Sequence, residues 1–139
     1  MFNYLVPDKT CVLVNNKLII YQSVENGVKP LVKYLYYKGI PNKETVLIDK
    51  IVGYAVANLI LYSQIKTVYT KIISKPALTL LNNNNITLFY ESKVENILRR
   101  DKSDICPLEK KLLTVKSPEQ AMEFLTQIVI FNNPIHLKQ

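Results

Sequence analysis

A chain of 139 residues has the length of one domain, and its 48% hydrophobic and 21% charged residues are enough for a packed core, which excludes a disordered polyelectrolyte and a disulfide-stapled miniprotein. The net charge of +7 comes from 16 lysines and two arginines spread along the whole chain. It therefore reads as surface solvation, and a nucleic-acid-binding module ranks below other readings, because tracking phosphates needs a contiguous basic face.

The first ten residues hold Pro7 and Asp8 where a signal peptide would place its apolar run, which points to a cytoplasmic protein. Residues 10–23 alternate apolar and polar around Asn15-Asn16, and asparagine tolerates the positive φ of a tight turn, so a β-hairpin is expected there. Residues 28–37 put Val28, Leu31 and Leu35 on helical spacing, with Pro30 tolerable in the first turn and Gly39 as a stop. Residues 45–48 form a short β-branched run fit for a buried strand, and residues 52–62 place Ala55, Leu59 and Tyr62 on one helical face. Asp49, Lys50 and Asn58 interrupt this most apolar stretch, so no membrane span is expected.

A strand follows over 68–73, then a helix opened by Ser74 as N-cap and closed by the asparagines 82–85, then a strand over 86–90. After Glu91 the pattern turns helical through Val94, Ile97 and Leu98, breaks at 102–104, and resumes from Cys106 to Leu113. Ser117-Pro118-Glu119-Gln120 opens the last helix, with serine as cap, proline at the first helical position, and Met122, Leu125, Ile128 and Val129 on the buried face. Alternating strands and helices predict a single α/β domain over 1–139, a three-layer α/β/α arrangement around a mixed, mostly parallel sheet.

Four segments carry a resemblance: Gly27-Val28-Lys29-Pro30-Leu31, Asp49-Lys50 with Gly53, Ser74 with Pro76-Ala77, and Arg100-Asp101 with Cys106-Pro107-Leu108-Glu109. Together with the order of elements they resemble the cytidine-deaminase-like fold, and within it a small bacterial family of deaminase-fold domains of unknown function. The likeness runs from Thr10 to about Leu125. A zinc deaminase needs a His or Cys followed by Glu at one helix start and Pro-Cys-x-x-Cys at the next. Here those places read Gly27-Val28-Lys29-Pro30 and Asp49-Lys50-Ile51-Val52-Gly53, so the resemblance implies a fold without its metal, no zinc-dependent deamination and no cofactor.

Ligands of open α/β sheets bind at the carboxyl ends of the parallel strands, near helix N-termini. Lys29, Asp49, Lys50 and Ser74 fall at such ends and form the first candidate set, for a small anionic ligand such as a nucleotide, with Arg100 as a further cation. The plainer roles are Asp49 as a helix N-terminal charge, Ser74 as a cap, and Arg100 in a solvated charge run or paired with Asp101. A lysine at a helix N-terminus opposes the macrodipole, which singles out Lys29 and Lys50. A second candidate set is enzymatic: Cys106 at a helix start as nucleophile, with Glu109 and Asp101 as helpers, against the plainer reading of a cysteine packed under its helix. No disulfide is expected between Cys106 and Cys11, which belong to distant elements.

Overall fold

A computed structural model describes residues 1–97 and 107–133 of the chain. The hairpin is present as β1 (Cys11–Asn15) and β2 (Leu18–Ser23). Its turn sits one residue later than the sequence reading, on Asn16 and Lys17, which both take positive φ (52° and 65°) as a tight two-residue hairpin requires. Helix α1 (Lys29–Lys38) ends where expected: Gly39 adopts φ 82° and its N–H donates to the Leu35 carbonyl at 3.0 Å.

Strand β3 (Val46–Val52) is longer than expected and includes Asp49 and Lys50, which the sequence reading had placed at a helix start. The parallel ladder to β4 (Thr67–Ser74) explains this: pairing continues through Asp49 opposite Thr70, Ile51 opposite Ile72 and Val52 opposite Ile73. Helix α2 (Tyr54–Ser63) therefore starts only after Gly53. Helix α3 (Lys75–Asn83) follows, and β5 (Thr87–Val94) pairs with β4 as far as Ser74 opposite Val94, so residues 92–94 are strand where the helical pattern was expected. Short α4 (Pro107–Leu112) and α5 (Pro118–Val129) complete the fold, α5 capped by Ser117, whose hydroxyl accepts from Gln120 N–H at 3.1 Å.

The strands form one mixed sheet in the order β2-β1-β3-β4-β5, with β1 antiparallel to both its neighbours and β3, β4 and β5 parallel. One face carries the larger core, where Cys11, Leu13, Leu47 and Val68 meet Leu31, Leu59, Leu81, Leu112 and Leu125, so that α1 to α5 all contribute to one apolar cluster among the described residues. On the opposite face Val12, Val14 and Ile48 are covered by a 3-10 helix, Phe2–Leu5, through Leu5. Helices were expected on both faces; among the described residues a single 3-10 turn covers the second one. That turn has no sequence period to announce it. Cys11 is a free, buried thiol. Among the described residues no helix is long and apolar enough to cross a membrane.

Candidate functional site

At the carboxyl end of β3, between the N-terminal ends of α1 and α2 and one side of α4, lies a cavity of about 640 Å³. Its polar lining is Thr10, Glu25, Asn26, Lys29, Asp49, Lys50 and Glu109, and its apolar walls include Val28, Ala55, Val56, Ile97 and Leu108. Most of these positions reach the cavity because the strand ends and the helix starts coincide there, the arrangement that creates binding crevices in open α/β sheets. A second hollow of about 520 Å³, beside α3 and lined by Tyr54, Lys75, Asn83 and Glu95 among others, is more open and collects no converging charges of the first candidate set.

Asp49 is a buried part of the lining of the first cavity. Only 6% of it is exposed, and in the sheet it stands between Cys11 of β1 and Thr70 of β4, both buried. Its carboxylate accepts a hydrogen bond from Ile51 N–H at 3.3 Å and another from the backbone of Lys50. Burial is the dominant influence and pushes its pKa from 3.8 up to about 7, with the two backbone bonds acting in the opposite direction. The neighbouring Cys11 thiol is held well above its ordinary range, first by burial and then by the charge of Asp49.

Glu109 reaches from α4 to the start of α2, where its carboxylate accepts from Tyr54 N–H at 2.8 Å and Ala55 N–H at 3.3 Å. Two of the free donors of the helix are thus satisfied by a residue more than 50 positions away, and the carboxylate sits at the positive end of the helix dipole. Burial raises its pKa, opposed by these two bonds. Gly53 is what admits it: a Cβ at that position would lie 1.8 Å from Glu109 Oε1 and 2.8 Å from Ile97 Cγ1. Its close neighbours are thus the side chains of Glu109 and Ile97.

Lys29 and Lys50 both line this cavity and are exposed. Lys29 occupies the first position of α1, as expected; Lys50 belongs to β3 and opposes no helix dipole. Glu25 is engaged at the rim by Lys33, whose Nζ lies 2.8 Å from the carboxylate, an exposed pair of little energetic weight. Ser74 is not part of the cavity lining. It is buried, and its hydroxyl accepts from Ala77 N–H at 3.3 Å, which is the cap role.

The structure therefore brings Lys29, Asp49, Lys50 and Glu109 together and leaves Ser74 apart. Arg100, Asp101 and Cys106 lie outside the described residues. Thr10 and Glu25 line the cavity without having been singled out; they enter because β1 and the loop after β2 border β3, which sequence spacing does not reveal. Among the described residues no group of three or more His, Cys, Asp or Glu side chains is placed to hold a metal ion.

The profile of the TM1506 family, described as a domain of unknown function (DUF1893), matches residues 4–129. A crystal structure of a DUF1893 family protein (TM1506) from Thermotoga maritima is 30% identical in sequence and superposes with a TM-score of 0.77, over 86% of this chain and 80% of that one. No curated protein matches.

Proposed function

The chain belongs to the DUF1893 family, a domain of unknown function, and from that premise we propose that it is a small-molecule-binding domain whose ligand carries an anionic group, as a nucleotide does. The observation that carries this reading is the presence of exposed Lys29 and Lys50 in the lining of one largely apolar-walled cavity, of the size ordinarily found for ligand sites. The fold we propose is cytidine-deaminase-like without its zinc. Support comes from a hairpin followed by three parallel strands with crossover helices, and from the meeting of the segments 27–29 and 49–53 in the same cavity. These are the two segments that stand where a deaminase would carry its ligands. A single domain over the chain and a cytoplasmic location belong to the same proposal.

Glu109 is committed to the first N–H groups of α2, which favours a structural part for it over that of helper to a Cys106 nucleophile. The nucleic-acid reading gains no contiguous basic face from Lys29 and Lys50, which border a cavity that also holds Glu25, Asp49 and Glu109.

A thermal-shift series with nucleoside 5′-monophosphates tests the proposal. A ligand that binds only the native state at about 100 times its Kd adds about 2.7 kcal/mol of stability, which raises Tm by several degrees. Lys50→Ala should reduce that shift while leaving the Tm of the free protein nearly unchanged, since an exposed lysine contributes little to folding. No shift with any of the nucleotides, or an undiminished shift in Lys50→Ala, refutes it.

A further inference from the structure

We infer that the cavity takes an amphoteric ligand end-on, an N–H donor group innermost against Asp49 and the anionic group outermost between Lys29 and Lys50. This rests on the reading of the cavity as a binding site and adds which chemistry goes to which end. The charged lining differs in burial: Asp49 is 6% exposed, while Lys29 and Lys50 are exposed. Between them the wall is apolar, formed by Val28, Val56, Ile97 and Leu108.

Three features exclude an anion from the Asp49 end. The N-terminus of α2, the natural anion seat, is already filled by Glu109, which accepts from Tyr54 and Ala55 N–H. Asp49 and Glu109 are both carboxyls, so a second buried anion would add like charge in a region of low dielectric. Among the described residues the cationic side chains of the lining are Lys29 and Lys50.

The Asp49 end instead offers acceptor capacity. An ionised carboxylate has about four lone-pair sites, and among the described residues Asp49 uses them for backbone N–H groups of residues 50 and 51, with no ion pair. Burial pushes its pKa up to about 7 with no cation beside it among the described residues, so a donor, and above all a protonated amine, would complement it. An alkyl or aromatic middle of the ligand then lies along the apolar wall.

Two matched probes decide the point, 4-(aminomethyl)phenyl phosphate and 4-methylphenyl phosphate, titrated calorimetrically into the full chain at pH 8. They share the ring and the phosphate and differ in the ammonium. The aminomethyl compound should bind at least about tenfold more tightly, the scale of a charge-assisted hydrogen bond. Asp49→Asn should abolish that preference, whereas Lys50→Ala should weaken both probes alike. Equal affinities for the two probes, or a preference that survives Asp49→Asn, overturn this inference and leave the anion site standing. If neither phosphate binds, the inference falls together with the reading on which it rests.

Discussion

Replacing Asp49 by Asn should stabilise the free protein at pH 8 by about 1–3 kcal/mol, and the gain should shrink toward zero as the pH approaches 4. Burial raises the folded-state pKa from 3.8 to about 7, so between those values the folded protein holds a proton that the unfolded chain has lost. Stability is therefore fully present below about pH 4, declines as the pH rises to 7, and stays low above it. A rise of that size corresponds to about 4 kcal/mol at most, at 1.36 kcal/mol for each pKa unit. The asparagine returns part of this, because its amide must also find partners in a buried site. Thermal unfolding of both proteins from pH 4 to 8 checks the expectation. Curves that run parallel would mean that Asp49 ionises at no cost. A carboxyl kept at a stability penalty is what a site retained for binding looks like.

Gly53→Val should destabilise by about 1–3 kcal/mol through overpacking, and the damage should be coupled to Glu109. Any Cβ there displaces the Glu109 carboxyl and Ile97, and once the carboxyl moves, Tyr54 and Ala55 lose their hydrogen-bond partner at the start of α2. In the double variant Gly53→Val with Glu109→Ala, the removed side chain leaves room for the new one. Its loss should fall short of the sum of the two single losses by about 1 kcal/mol, the scale of coupling between residues in contact. Urea unfolding of the four proteins measures this directly. Additive losses would show that the glycine answers to something other than Glu109.

The parts of this fold that were legible in the sequence are those announced by local chemistry. Ser74 and Ser117 before their helices, Gly39 after α1, and the asparagine at the hairpin turn each act within a few residues of themselves. The misreadings occur where a distant partner decides. Asp49-Lys50 looks like the polar start of a helix, yet β4 offers a continuing ladder and the chain stays extended to Val52. After Glu91 the helical spacing of Val94, Ile97 and Leu98 suggests a helix, yet the same β4 edge holds residues 92–94 in a strand. The candidate site divides in the same way. Lys29, Asp49 and Lys50 were recognisable as charged residues at the ends of strands, whereas the bond from Glu109 to the start of α2 spans 55 positions and has no local signature.

The strand order has a bearing on how the protein is made. In the sheet β2-β1-β3-β4-β5, every strand after the first pairs with one already synthesised: β2 with β1, β3 on the other edge of β1, β4 on β3, and β5 on β4. A chain emerging from the ribosome can close the hairpin first and then extend the sheet in one direction, adding strands in the order of their translation. Among the described strands, none has to wait for a partner from a distant, later part of the chain, which shortens the time each growing edge is open to pairing with another molecule.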